Sequence, residues 1–301
     1  MRRKNAGTSP NDSDRTMLPD WETNTVLISG LLRQRHPEIV RRLEAILIKH
    51  EFPLVTVPGM ADIWIRDAAP VQVDDRLFTQ FRYFPDYLGD GYRHLITKPE
   101  VFRKLEFMPT TEKSQLIIDG GNIVGTRSTA TLTDKVFREN PRRNRSDLIE
   151  ELQQLLRVRN LVIIPQEIDD RIGHADGMIR FVTDDQVTLN DYRASQPRFA
   201  KRLENAFATS GVRITRIPYV PENRIEDGIP SAVGNYANFL RVGNLLVIPE
   251  YGLTADEVVL NILVKLLPHC CVESLPCRAL AREGGALNCA TWTIQLRHGS
   301  A

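Results

Sequence analysis

The chain has 301 residues, and 39 Lys+Arg nearly balance 38 Asp+Glu, a formal net charge of +1. No large basic field exists to hold nucleic acid or an anionic membrane. Hydrophobic residues at 42% and charged residues at 26% belong to an ordinary globular chain and exclude wholesale disorder, while the length allows one large domain or two of average size.

Met1 to Met17 is rich in Arg, Asn, Ser and Asp and lacks the apolar core of a signal peptide. Residues 1–17 are expected to form a flexible tail and the protein to be cytoplasmic. Thr25–Leu32 (TVLISGLL) reads as a buried strand. Pro37–Lys49 sets Ile39, Val40, Leu43, Ile46 and Leu47 on one helical face, and Pro53–Val57 is a second strand. Ser114–Val124 holds a strand broken by Gly120 and Gly121. Ser146–Arg157 is an amphipathic helix with Ser146 or Asp147 as its N-cap, followed by the strand Leu161–Pro165. Gln196–Thr209 reads as a helix and Val212–Ile217 as a strand. Leu245–Pro249 is a strand, and Thr254–Leu267 is an amphipathic helix with a Thr cap. The alternation predicts an α/β fold. No Gly/Ser- or Pro-rich linker divides the chain, so 18–297 is expected to be one domain. No stretch approaches the ~20 apolar residues of a membrane span. Cys270, Cys271 and Cys277 cluster without a CxxC pair, so neither a disulfide framework nor a metal site is expected.

Five segments share a layout in which polar, reactive-type residues sit among small residues beside a short apolar strand. They are Asp62–Val73, Ile117–Gly125, Ile172–Val182, Gly234–Val242 and Gly284–Gln295, and their markers Asp67, Asp119, His174, Asn238 and Cys289 recur at intervals of 51 to 64 residues. That period fits one supersecondary module per blade around a common axis. The centre would then gather Asp67, Asp119 and Asp176, the imidazole of His174, the amides of Asn122 and Asn238, and the thiol of Cys289. A free Cys is more often a small buried core residue. Here the preceding Gly284–Gly285 and the following short strand favour an active-site turn. A thiolate is a competent nucleophile that an imidazole can activate. Carboxylates beside a Cys–His couple do not suit an anion. They suit a cation, above all a planar guanidinium that pairs with carboxylates in bidentate fashion.

The segments WIRDAAP, GHADG and GGALNC, in this order, resemble the agmatine deiminase and bacterial-type peptidylarginine deiminase family. IDGGN, TDKVFRENPRRNRSDLIEEL and YANFLRVGNLLVIP are similar to its intervening segments, and the resemblance runs from about Leu18 to Gln295. It implies the pentein fold, a five-bladed pseudosymmetric α/β propeller, with no cofactor and no metal. It further implies hydrolysis of a guanidino compound to a ureido product and ammonia through a covalent Cys thiouronium. By the same resemblance Asp67 and Asp176 would grip the guanidinium, His174 would be the general acid/base and Cys289 the nucleophile. Asn238 would be a pocket amide and Asp119 would line the pocket, without an assigned role. Trp64 is expected in the core or pocket wall, and Arg82 either meets a substrate carboxylate or is a solvated arginine. Ala69, Gly177 and Asn288 depart from the family's usual residues; agmatine deiminases commonly carry His before the nucleophile. The substrate tail therefore stays open among agmatine, arginine derivatives and peptidyl-arginine.

The expected partner is a small guanidine or arginine-containing substrate, and a homodimer is allowed. Amidinotransfer on the same fold and a non-catalytic guanidine-binding protein are the alternatives. Retention of Asp67, His174, Asp176 and Cys289 argues against the second. A Cys hydrolase acting on neutral amides ranks lower, since an amide does not call for two carboxylates beside the thiol.

Overall fold

The computed structural model describes residues 16–296, with 109, 169 and 227 excepted. Most of the expected tail, residues 1–15, and the expected end of the domain at 297 lie outside the described residues. Met17 is buried in one apolar cluster with Phe81 and Leu116, so packing begins before Leu18.

Among the described residues, five three-stranded sheets repeat one topology. Val71–Asp74, Leu77–Arg82 and Thr110–Ile117 form one. Val124–Gly125, Thr129–Thr133 and Asn160–Ile164 form the next. Ile179–Thr183, Gln186–Asn190 and Arg213–Ile217 follow, and then Leu240–Val242, Leu245–Glu250 and Cys271–Pro276. In each, the first strand is antiparallel to the middle one and the middle one is parallel to the third. The fifth sheet takes its strands from both ends of the chain. Thr25–Ser29 is parallel to Leu54–Val57 and antiparallel to the last strand, Thr291–Ile294. A short hairpin, Ile225–Glu226 with Ile229–Pro230, stands outside this pattern.

A parallel pair needs a crossover connection, and helices supply it. Pro37–Lys49, Arg145–Leu156, Pro197–Ala206 and Ala255–Leu266 each link a middle strand to its third strand. Their buried residues fall at helical spacing: Val40, Leu43 and Leu47 in the first, Leu148, Leu152 and Leu156 in the second, Ala255, Val259 and Leu263 in the last. The middle strands are buried on both faces, as at Thr25–Ser29 and Thr129–Thr133. The α/β alternation and the five-fold count therefore match the fold.

Several local expectations are corrected. The first strand stops at Ser29, because Ser29 Oγ accepts from the Leu31 amide and caps a helix over Gly30–Arg35. The cap of the Arg145–Leu156 helix is Asn144, whose Oδ1 accepts from the Ser146 amide at 3.0 Å. The Asp256 carboxylate, not Thr254, satisfies the amides of Tyr251 and Leu253 at the start of the Ala255–Leu266 helix. The helix read as Gln196–Thr209 spans Pro197–Ala206.

Trp292, 2% exposed on the closing strand, meets Phe78 and Phe102 edge-on at 5.9 and 5.4 Å. Trp292→Ala should cost about 3–5 kcal/mol in urea unfolding, whereas Ile48→Ala, at a site 71% exposed, should stay within about 0.5 kcal/mol.

Candidate active site

Each sheet is entered through a short connector, and the five connectors carry the five marker residues. Asp67 sits on a single helical turn, Ile65–Ala68, just before its strand. Asp119 precedes the turn Gly120–Asn122, and His174 precedes the turn Ala175–Gly177 that contains Asp176. Asn238 lies two residues before Leu240–Val242, and Cys289 lies on the turn Leu287–Ala290. The interval of 51 to 64 residues is thus the length of one connector plus one hairpin and one crossover.

The connectors are bonded to one another in a closed ring. The Gly121 amide donates to Asp67 Oδ1 at 3.2 Å. Asn122 Oδ1 accepts from the Ala175 amide at 3.2 Å. Asn238 Nδ2 donates to the Asp176 carbonyl at 3.2 Å, and its Oδ1 accepts from the Cys289 amide at 3.2 Å. Arg66 Nε closes the ring on the Asn288 carbonyl at 3.4 Å. Arg66 is therefore turned toward the Cys289 connector.

Inside this ring lies Gly121. A Cβ there would stand 2.6 Å from Asp67 Oδ1, 2.7 Å from His174 Nδ1 and 3.3 Å from Asp176 Oδ1. Only the missing side chain leaves room for these groups to converge. His174, 3% exposed, has Nε2 at 2.9 Å from Asp119 Oδ2 and Nδ1 at 3.4 Å from Asp67 Oδ1. Asp119 in turn accepts from Lys135 Nζ at 2.7 Å, and Lys135 lies 3.1 Å from Glu139. Burial works to raise the Asp119 carboxyl, but the His174 hydrogen bond and the Lys135 charge outweigh it and hold it below the usual range. An ionised Asp119 can only accept, so Nε2–H donates and Nδ1 faces Asp67. For His174 burial favours the neutral ring, yet the charge of Asp67 and the bond to Asp119 hold it up at about 9. Burial pushes the Asp67 carboxyl up to about 7, with Asp119 and Asp176 adding to the rise and His174 opposing it.

Cys289 Sγ accepts from Asn238 Nδ2 at 3.2 Å and lies 3.6 Å from Asp176 Oδ2. Asp176 Oδ2 also accepts from Asn288 Nδ2 at 2.6 Å. Its other oxygen, Oδ1, is buried and has no hydrogen-bond partner. Burial first, then the charges of Asp176 and Asp67, push the Cys289 thiol well above its ordinary value. The resting sulfur is therefore a neutral thiol at physiological pH.

A cavity of about 540 Å³ leads to Cys289, with Trp64, Tyr83, Tyr87, Tyr92 and Leu95 in its walls and Arg171, Arg282 and Asp62 among its charged lining. Asp67, His174 and Cys289 line it as well. Asp119 is fully buried behind His174, and Asn238 braces the Cys289 turn from a second cavity of about 570 Å³ that Asp176 also lines. Arg82 is exposed, its guanidinium 5.1 Å from the Phe84 ring, and is not among the cavity-lining residues. Tyr83, just past the end of the strand, takes the wall position. Among the described residues no group of three or more His, Cys, Asp or Glu is disposed to hold a metal ion.

Sequence reasoning missed Lys135, Gly121 and Asn288. Lys135 lies in the quoted TDKVFREN segment, but nothing in its spacing from Asp119 signals that a lysine there is fully buried. Asn288 was noted only as a departure from the family's usual His; its bond to Asp176 depends on the meeting of two distant connectors.

Comparison with known proteins places these residues in context. The family model for Porphyromonas-type peptidyl-arginine deiminase matches residues 22–294. An agmatine deiminase of Stutzerimonas stutzeri is 24% identical over 283 residues, 79% of this chain and 76% of that protein. A candidate agmatine deiminase of Marinomonas sp. is 27% identical over 209 residues, 60% of this chain and 57% of the relative's length. The agmatine deiminase of C. jejuni with substrate bound superposes with a TM-score of 0.76 at 18% identity, covering 94% of this chain and 97% of that one, so the two share a fold.

Alkylation of Cys289 by neutral iodoacetamide, followed by peptide-resolved mass spectrometry, should be slow at pH 7 and accelerate only above pH 9. The raised thiol releases its proton late; a rate that levels off by pH 8 would contradict the charge balance described. Lys135→Met strands Asp119 and Glu139 as buried carboxylates without their cation. It should lower stability by about 3–5 kcal/mol in denaturant titration.

Proposed function

The chain belongs to the Porphyromonas-type peptidyl-arginine deiminase family, and from that premise we propose that it hydrolyses a guanidino compound to a ureido product and ammonia through a covalent adduct on Cys289. The observation that carries this reading is the buried, unpartnered Oδ1 of Asp176 beside a thiol 3.6 Å from the same carboxylate. A buried acceptor without a donor is costly. A guanidinium N–H supplies both the missing donor and the missing positive charge.

Asp67 and Asp176 hold the two ends of the planar cation and set its central carbon beside Cys289 Sγ. A unit positive charge about 4 Å from the sulfur contributes about 4 kcal/mol at an effective dielectric of about 20. That is on the order of a thousandfold in thiol ionisation. The substrate thereby activates its own nucleophile, which the empty site keeps protonated. As the cation enters, the S–H bond breaks and its proton passes to solvent, and the thiolate adds to the guanidinium carbon to give a tetrahedral adduct. The C–N bond then breaks, and the nitrogen leaves as ammonia with a proton from His174. Water next adds to the thiouronium carbon and gives a proton back to His174. The C–S bond breaks, the electron pair returns to sulfur, the remaining hydroxyl proton passes to that sulfur, and the urea is released. His174, held protonated by Asp67 and Asp119, is ready to donate in the first half of this cycle.

The aromatic wall of Trp64, Tyr83, Tyr87 and Tyr92 suits the aliphatic stem of agmatine, an arginine derivative or a peptidyl-arginine.

Agmatine, arginine, Nα-acetylarginine and arginine peptides, assayed for ureido product and ammonia, test the proposal. At least one should be turned over, and Cys289→Ala should abolish turnover. Asp176→Asn should lower kcat/KM roughly 10²–10³-fold with unchanged circular dichroism. No turnover of any guanidine would sink the proposal.

A further inference from the structure

Cys289 is reached from two sides. The two cavities share Ile172, His174, Gly284, Gly285 and Cys289. Gly284 stands in the partition between them, with Ile229 Cγ2 2.4 Å and Ile172 Cδ1 3.7 Å from where its Cβ would be. The second cavity, about 570 Å³, differs in character from the first. Its lining includes Glu167, Tyr219, Ser231 and Asn235. Glu167 accepts from the hydroxyls of Tyr192 and Tyr219, both at 2.8 Å, and Asn235 donates to the Gly177 carbonyl at 2.7 Å. Its lining mixes these hydrogen-bonding groups with apolar side chains such as Ile168, Ile225 and Pro230, where the first has an aromatic wall.

The chemistry creates a need for it. Once the thiouronium has formed, the substrate stem is tethered to sulfur and still fills the first cavity. At that moment ammonia must leave the carbon and water must arrive at it. We propose that the second cavity is the passage for this exchange, a route for water inward and for ammonia or ammonium outward that stays open while the first cavity is occupied. The inference rests on the deimination reading above. The exchange balances: one C–N bond breaks with release of ammonia, one C–O bond forms from water, and the C–S bond breaks last. The lining sets Asp170, Glu222 and Glu167, the last raised by burial to about 7, against Arg224, an acidic excess that favours an outgoing ammonium over an incoming anion. His174, lining both chambers, is placed to hand a proton to the departing amine and to take one from the entering water.

The full-length chain tests this by rapid-quench mass spectrometry of the Cys289 adduct. The probe is whichever of agmatine, arginine and Nα-acetylarginine the wild type turns over fastest. Ser231→Trp narrows the second cavity, and Asn223→Trp does so from its exposed rim should the first variant fail to fold. In a folded variant the adduct should form within about twofold of the wild-type rate, its hydrolysis should slow at least tenfold, and adduct should accumulate. Leu88→Trp in the first cavity should do the reverse, slowing adduct formation and leaving hydrolysis unchanged. Adduct that forms normally and hydrolyses at the wild-type rate in both second-cavity variants would overturn the passage and leave deimination standing. Absence of any wild-type adduct or turnover would overturn deimination and the passage together.

Discussion

Asp67, Asp119, Asp176 and Glu139 are buried carboxylates in one small region, and Lys135 is the fully buried cation set among them. Removing charges from water is expensive unless they are paired and hydrogen-bonded. Lys135 and His174 both bond Asp119 Oδ2, so Asp119 stays ionised and holds the imidazole in one orientation, although its Oδ1 has no hydrogen-bond partner. Asp67 and Asp176 are not balanced to the same degree. Asp67 responds with a carboxyl pushed up to about 7, and Asp176 keeps an oxygen without a donor. The protein's own groups thus leave the centre short of positive charge, and the high-lying thiol of Cys289 is a second expression of the same deficit. In the proposed reaction a cationic substrate removes both penalties when it binds.

This balance can exist only because the connectors are held rigidly against one another. Asn122 Oδ1 accepts from the amides of Thr133 and Ala175, and Asn238 uses both ends of its amide, donating to the Asp176 carbonyl and accepting from the amides of Ala286 and Cys289. Pairing of the last strand with the first closes the circle of sheets. It brings the Cys289 turn alongside the Asp67 turn, residues separated by most of the chain. The proposed nucleophile is therefore positioned by the same contact that completes the fold.

Much of this was legible in the sequence, for identifiable reasons. Strong apolar periodicity marked the crossover helices, and the polar-among-glycine segments marked the connectors at their regular interval. Asp67, Asp119, His174, Asn238 and Cys289 were all picked from that layout, and the structure gathers them. Short strands such as Val124–Gly125 and Leu240–Val242 were legible only as an apolar stretch in each marker segment, without bounds, because two or three residues carry no measurable alternation. The start of one helix was misjudged because the capping side chain, Asn144, lies outside the periodic run; at another, Thr254 holds the N-cap position without a side-chain bond while Asp256 satisfies the preceding amides. Arg82, open on charge alone between a substrate contact and a solvated arginine, is the exposed last residue of its strand, and Tyr83 just beyond it lines the wall.

The near-neutral net charge of the chain is an average that conceals a local excess of carboxylate. Residue types and their spacing determined the α/β alternation, the five modules and the set of groups available for guanidinium chemistry, because periodicity and reactive side chains are local properties. Which of those groups are short of a partner was decided only by the tertiary structure. Burial of Lys135 against Asp119, the room left at Gly121 and the orphaned oxygen of Asp176 arise where distant connectors meet. Desolvation and pairing depend on what surrounds a charge in space, and that environment is assembled only when the circle of sheets closes.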